Sequence, residues 1–77
     1  MTLNQAVIKR IEEICNETGR SVCDICLSAG LTPSTVYELL YGRTKQPRII
    51  TIKLFCEGAG IKIKDFFDRD YFDELEE

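Results

Sequence analysis

The segment from residue 21 to residue 42 limits the fold of this chain more than any other feature, because helix start and stop signals follow one another closely in it. Residues 22–29 place apolar side chains three and four positions apart, which is typical of one buried helix face. Gly30 follows them, and glycine readily takes the left-handed conformation that ends a helix and turns the chain. Thr32 and Pro33 then supply a capping residue and a residue suited to the first helical position. The segment therefore predicts two short helices joined by a tight turn.

The second short helix, expected at about residues 33–41, has an apolar side and a polar side. Its apolar residues Val36, Leu39 and Leu40 predict a buried stripe, and Gly42 ends the helix. The side chains expected to face outward are Ser34, Thr35, Tyr37, Glu38 and Tyr41. This arrangement predicts a helix-turn-helix, whose second helix can lie in the major groove of DNA and contact base edges.

Further apolar stripes predict three more helices. The first covers roughly residues 2–18 and opens on a capping box of Thr2 and Gln5, the fourth covers about residues 48–59, and the fifth begins near Ile63. The side chains expected in the core stripes of the first and fourth helices are Leu3, Val7, Ile11, Ile14, Cys15, Ile49, Ile52, Phe55, Cys56 and Ala59. The expected fold class is therefore all-α, a compact five-helix bundle in which the second and third helices form the helix-turn-helix.

These signals, taken in order, resemble the phage repressor and Cro type of helix-turn-helix, a large family of small bacterial and phage transcription regulators. The matching positions are Cys26 inside the second helix, Gly30 in the turn, residues 31–36 at the start of the third helix, Gly42 and Pro47 after it, and residues 59–67 between the fourth and fifth helices. The resemblance covers roughly residues 5–67. It implies the DNA-binding domain fold of the phage repressors and a sequence-specific DNA-binding transcriptional regulator, a repressor.

The resemblance also implies where double-stranded DNA would be contacted. The residues expected to face bases are Ser34, Thr35, Tyr37 and Glu38, and those expected at phosphates are Ser21, Thr32, Tyr41, Arg43, Lys45 and Arg48. Ser21 is expected to cap the second helix as well. The chain departs from the family pattern at Val22, where many phage repressors carry a glutamine that docks on the DNA backbone. It departs again at Pro33 and Ser34, where glutamine or arginine often reads a base.

Glu38 has two interpretations. Its carboxylate can accept a hydrogen bond from cytosine N4 in the major groove. Alternatively it is a solvated residue, because a negative charge is unfavourable near phosphates. The sequence leaves both open.

The charge is distributed unevenly along what we expect to be one domain, residues 1–77. The net charge is −3, yet residues 43–64 carry six basic side chains against Glu57, for a net +5. Residues 65–77 carry Arg69 against seven acidic side chains, for a net −6, within an acidic and aromatic segment that spans residues 63–77. A local positive surface is what DNA binding requires, and an acidic tail elsewhere would orient the molecule by repulsion.

Apolar side chains beyond those needed for the core predict a homodimer. The C-terminal segment carries more aromatic area than a short helix needs for docking, and Ile50 and Leu54 lie four residues apart on a second face of the fourth helix. The residues expected at the dimer interface are Ile50, Leu54, Phe66, Phe67, Tyr71 and Phe72. A two-fold dimer would place two recognition helices about one DNA turn apart. The alternative is that the aromatic side chains cover the core of their own domain.

The residue types of the chain argue against metal, redox and catalytic functions. Cys23 and Cys26 have the spacing of half a zinc site or a redox pair, but no histidine is present, and Cys15, Cys26 and Cys56 lie on apolar stripes. We expect structural thiols, no metal and no cofactor. With no histidine, no nucleophile beside a base and no glycine-rich phosphate loop, we do not expect an enzyme.

The remaining expectations concern location and an alternative function. No apolar run approaches the length of a membrane span and no signal peptide is recognisable, so we expect a cytoplasmic protein that does not bind a membrane. Nothing in the sequence identifies a small-molecule effector. The alternative function is a helix-turn-helix domain that serves as a protein-interaction or antitoxin-like regulatory subunit, which the acidic balance favours and the basic residues after Gly42 oppose.

Overall fold

A computed structural model of the protein describes residues 1–42 and 47–76. In this part of the chain the helices are α1 (Leu3–Thr18), α2 (Val22–Ser28), α3 (Pro33–Leu40), α4 (Ile49–Ala59) and α5 (Ile63–Phe66), followed by a short 3-10 helix (Asp70–Asp73). No strand occurs among these residues, and the expected all-α fold of five helices is confirmed. No helix within them is long and apolar enough to cross a membrane.

The helices begin largely where the capping residues predict. The Thr2 amide donates to Gln5 Oε1 at 2.8 Å and the Gln5 amide donates to Thr2 Oγ1 at 3.2 Å, which completes the expected capping box. Ser21 Oγ accepts from the Asp24 amide at 3.1 Å at the start of α2. Thr32 has the extended backbone of a cap, but its side chain makes no capping hydrogen bond. Pro33 supplies the first residue of α3 instead, with its backbone angle already suited to a helix.

The core lies where the four longer helices and α5 meet. It is formed by Val7, Ile11, Ile14, Ile25, Cys26, Val36, Leu39, Ile52, Phe55, Cys56 and Phe66. Two residues expected in the core stripes are exposed instead: Leu3 at 41% and Ile49 at 64%. Each is the first residue of its helix, at the end of an element where fewer neighbours cover it.

α2 and α4 approach one another closely at Gly58. A Cβ atom added there would lie 2.2 Å from the Ile25 carbonyl oxygen and 3.0 Å from Ala29 Cβ. Arg20 spans the same contact, because its Nη1 donates to the Gly58 carbonyl at 2.7 Å and its Nε to Asp24 Oδ2 at 2.8 Å. Packing against α4 therefore holds α2, and α2 carries the turn that leads into α3.

A buried arginine joins α1 to the end of α5. Arg10 is only 3% exposed. Its Nε donates to the Phe66 carbonyl at 2.8 Å and its Nη2 to the Asp65 carbonyl at 3.0 Å. Both carbonyls lie at the C-terminal end of α5, where the Asp65 carbonyl also accepts from the Asp68 amide at 3.3 Å. The buried guanidinium thus has hydrogen-bond acceptors of its own, which offset the cost of burying its charge.

The aromatic side chains of the C-terminal segment correct the expected dimer interface. Phe66 is 0% exposed and lies in the core of its own chain, so its assignment to a dimer interface is wrong. Phe67 and Phe72 pack against that core with ring centroids 5.0 Å apart, edge to face. Tyr71 donates its hydroxyl hydrogen to Glu13 Oε1 at 2.7 Å. Phe67 and Phe72 thus cover the core of their own chain, and Tyr71 contacts Glu13 and Lys9 of α1.

Candidate nucleic-acid interface

The buried side of α3 determines which of its residues face outward. Val36 and Leu39 are 1% and 2% exposed in the core. The turn before α3 is held by Gly30, whose φ is 67°, and by the Leu31 amide, which donates to the Cys26 carbonyl at 2.9 Å. With one side of α3 packed into the bundle, the opposite side is presented to solvent as a rigid surface.

Four of the outward side chains form a single open hollow. Ser34, Tyr37, Glu38 and Tyr41 line it, with a volume of about 420 Å³. They lie three or four positions apart, which makes them neighbours on a helical surface. The rings of Tyr37 and Tyr41 are stacked, with centroids 5.8 Å apart and planes 15° apart, and Tyr41 is 70% exposed. Thr35, the other residue expected to face bases, is exposed beside this hollow.

Glu38 is the charged member of the hollow. It is exposed and forms no ion pair with any residue in the part of the chain that the structure describes. An ionised carboxylate accepts hydrogen bonds and donates none. The hollow therefore combines a hydrogen-bond acceptor with hydroxyl groups that can both donate and accept.

The structure describes four of the six residues expected at phosphates. Thr32 and Arg48 are exposed, at the cap positions of α3 and α4. The Ser21 oxygen is used as a cap, but its hydroxyl hydrogen is available to an acceptor outside the chain. Arg43 and Lys45 lie outside the described residues.

Most basic side chains of the described ranges interact with their own chain. Those with partners are Lys9 over the Tyr71 ring, Arg10, Arg20, Lys53 with Glu57, and Arg69 with Glu13 and Glu17. Arg48, Lys62 and Lys64 make no ion pair or ring contact within residues 1–42 and 47–76. These three are the described side chains best placed to meet an external anion.

Three of the four cysteines, Cys15, Cys26 and Cys56, are packing residues. Cys26 and Cys56 are buried, as their stripe positions predict, Cys15 is half-buried and Cys23 is exposed. Burial raises the pKa of Cys56 to about 11, and it raises the pKa of Cys26 with a smaller contribution from Cys23 and Cys15. These thiols are therefore protonated near neutral pH, whereas nucleophiles and metal ligands are thiolates. Among the described residues no group of three or more potential metal ligands comes together.

Two arginine contacts that hold the helices of the bundle together were not predicted from the sequence. Arg10 and Arg20 act through backbone carbonyls that lie 56 and 38 residues away, a separation that no local pattern encodes. Gly58 did offer a signal, because a glycine inside an otherwise helical stretch commonly has a packing reason.

We compared the chain with family models, with curated proteins and with solved structures. No family model matches the sequence, and none of the curated proteins matches it. Among solved structures, the crystal structure of the prophage Lp1 protein 11 superposes with a TM-score of 0.83 at 32% sequence identity. The match covers 97% of this chain and 99% of that one, so it includes the whole bundle and not only α2 and α3. The chain belongs to the same family as the prophage Lp1 protein 11, a small helical phage-related protein.

Proposed function

We propose that this protein is a sequence-specific DNA-binding transcriptional regulator, a repressor of the phage type, that inserts α3 into the major groove. One observation carries the proposal. Val36 and Leu39 pack one side of α3 into the core, while its opposite side presents side chains that can form hydrogen bonds. A recognition helix needs this division, because it must be held rigidly by its own domain while its other side contacts base edges.

The roles within the interface follow from exposure and chemistry. Ser34, Thr35, Tyr37 and Glu38 face the bases from α3. Thr32, Tyr41 and Arg48, joined by Ser21, contact phosphates and set the orientation of the protein on the duplex. Arg43 and Lys45 complete the phosphate contacts in this proposal, since they follow α3 directly in the sequence.

A homodimer remains part of the proposal, with a smaller interface than the sequence predicts. Ile50 is 47% exposed and Leu54 is half-buried on α4, and Ile49 adds a 64% exposed side chain beside them. Phe66 is excluded by its burial. A two-fold dimer through α4 would let both copies of α3 read one duplex.

The second candidate function is a protein-interaction or regulatory subunit with weak or no DNA binding. The exposed apolar side chains Leu27, Ile49 and Ile50 favour it, because exposed apolar surface commonly marks a protein interface. The acidic C-terminal segment also favours it.

The test is selection of bound duplexes from a random DNA library, followed by a salt titration on the enriched sequence. A DNA-binding regulator will enrich an inverted repeat, and its affinity will fall steeply as salt rises. If folded protein enriches no sequence, the proposed function is wrong and the interaction-subunit alternative replaces it.

A further inference from the structure

We infer that Glu38 selects a cytosine in each half-site of the DNA that this protein binds. The inference rests on the proposed function and deepens it, because it names the base that the hollow on α3 recognises.

α3 carries no side chain able to read guanine or adenine by the usual paired hydrogen bonds. Guanine is read by arginine or lysine at O6 and N7, and adenine by asparagine or glutamine at N6 and N7. The sequence of Pro33–Leu40 contains none of these four residue types. Glu38 is the one acidic residue of this helix, which has no basic residue, and its carboxylate only accepts hydrogen bonds.

The major-groove edges of the bases determine which one a carboxylate can accept. Cytosine presents the N4 amino donor, whereas guanine presents two acceptors and thymine presents the O4 acceptor and a methyl group. Adenine has a donor at N6, but its N7 acceptor lies beside it and repels a second acceptor. A carboxylate can thus accept a hydrogen bond at cytosine, whereas acceptor atoms repel it, to different degrees, at the other three bases.

The surroundings of Glu38 strengthen this selection. Ser34 lies one turn before it, the stacked Tyr37 and Tyr41 rings line the same hollow, and no described cation neutralises the carboxylate. Near phosphates an unpaired negative charge is penalised on every sequence. The charge-assisted hydrogen bond from cytosine offsets that penalty, whereas the acceptors of guanine and thymine add to it. Glu38 therefore acts as much by excluding the wrong bases as by binding the right one.

The experiment compares duplex selection by wild-type protein, E38Q and E38A. Wild type is expected to enrich a cytosine at one position of each half-site, favoured roughly tenfold over other bases. E38Q is expected to move that preference to adenine, because glutamine accepts from N6 and donates to N7. E38A is expected to lose the preference at that position alone. The position is identified as the one at which wild type and E38Q differ.

A modified base gives an independent measurement. A methyl group on cytosine N4 replaces the hydrogen that points into the major groove and leaves the base pair intact. Placed at the identified position, N4-methylcytosine is expected to weaken wild-type binding roughly tenfold and to leave E38A binding unchanged. E12Q removes an equal charge from an exposed residue of α1, and it is expected to keep the wild-type cytosine preference.

The outcomes separate this inference from the proposed function. If wild type enriches no duplex while circular dichroism shows folded helices, both the proposed function and the inference are overturned. If wild type enriches an operator and E38Q selects the same bases, only the inference is overturned. Only the inference is overturned, too, if N4-methylation of the cytosine weakens DNA binding by wild type and by E38A equally.

Discussion

The outward side of α3 and the C-terminal segment contain similar side chains but use them differently. Both carry tyrosines beside carboxylates. In the C-terminal segment Tyr71 is half-buried, and its hydroxyl donates to Glu13 at 2.7 Å. At the end of α3, Tyr41 is 70% exposed, and its one ring contact among the described residues is with Tyr37.

This difference separates residues that serve the fold from residues left for a partner. The aromatic rings after α5 find ring, carboxylate and cation partners on α1, on α5 or among themselves, so their apolar area is used within the chain. The outward side chains of α3 are held in place by their helix but have few partners among the described residues. Aromatic content alone therefore does not identify an interface, and what matters is whether the rest of the chain already covers the rings.

Phe66→Ala is expected to give the largest effect in this comparison. Phe66 is 0% exposed, and truncation of a buried phenylalanine costs about 3–5 kcal/mol of unfolding free energy through lost burial and the cavity left behind. Urea denaturation measures the loss. Tyr41→Ala, at an exposed ring, should change stability by no more than about 0.5 kcal/mol. Equal losses of unfolding free energy for the two substitutions would contradict the view that the C-terminal rings serve the fold and the outward α3 rings do not.

Gly58→Ala tests the contact that holds α2, and with it the start of α3. In an open helix this change is stabilising, because alanine is favoured over glycine by about 1 kcal/mol. Here the new Cβ would lie 2.2 Å from the Ile25 carbonyl oxygen, so the helices must separate. We expect a loss of about 1–3 kcal/mol, which is the usual cost of overpacking.

The sign of the Gly58→Ala effect is therefore diagnostic in thermal denaturation. Glu57→Ala, on the exposed side of the same helix, is the matched control, and its effect should stay within about 0.5 kcal/mol. A stabilised Gly58→Ala protein would show that α2 and α4 are not in close contact.

Local signals in the sequence predicted the helices well, and long-range contacts account for what they missed. Ser21, Gly30 and Pro33 act within one turn of their own position, and the helix boundaries they predict agree with the structure to within a residue or two. The burial of Phe66 depends on α1 and α4 covering it from distant parts of the chain, which periodicity within residues 63–77 cannot indicate. The candidate site was predictable as a surface because periodicity determines which side of α3 is buried. The hollow and the tyrosine stack could not be predicted in this way, because they depend on side-chain conformations that the sequence pattern does not determine.

Tyr71→Phe removes one hydrogen bond from the C-terminal region and is expected to cost about 1 kcal/mol at neutral pH. It should also change the response to alkali. Burial and the Glu13 carboxylate raise the pKa of Tyr71 from 10.0 to about 12. Between these values the unfolded chain releases the proton and the folded chain keeps it, so this part of the stability is present below pH 10 and is lost as pH rises toward 12.

Urea titrations at pH 9 and above measure that loss. Wild type should lose stability more steeply than Tyr71→Phe between pH 10 and 12, because the pKa of Tyr71 is 10.0 in the unfolded chain and about 12 in the folded chain. Tyr41→Phe is the matched control, since its exposed hydroxyl has no described partner on the chain. Parallel pH profiles for wild type and Tyr71→Phe would contradict the Tyr71–Glu13 contact.

Arg48→Ala is expected to have the smallest effect on stability and to act on DNA binding instead. Arg48 is exposed at the start of α4 and has no ion pair in the described residues, so its positive charge is available to a phosphate. Its loss should weaken binding on all sequences alike and reduce the slope of log affinity against log salt by about 1. Arg69→Ala removes the same charge from a side chain already paired with Glu13 and Glu17, and should leave that slope unchanged. Salt titrations on the selected duplex compare the two variants. Equal slopes for both would mean that Arg48 does not contact the DNA, and the phosphate contacts would then have to come from elsewhere on the surface.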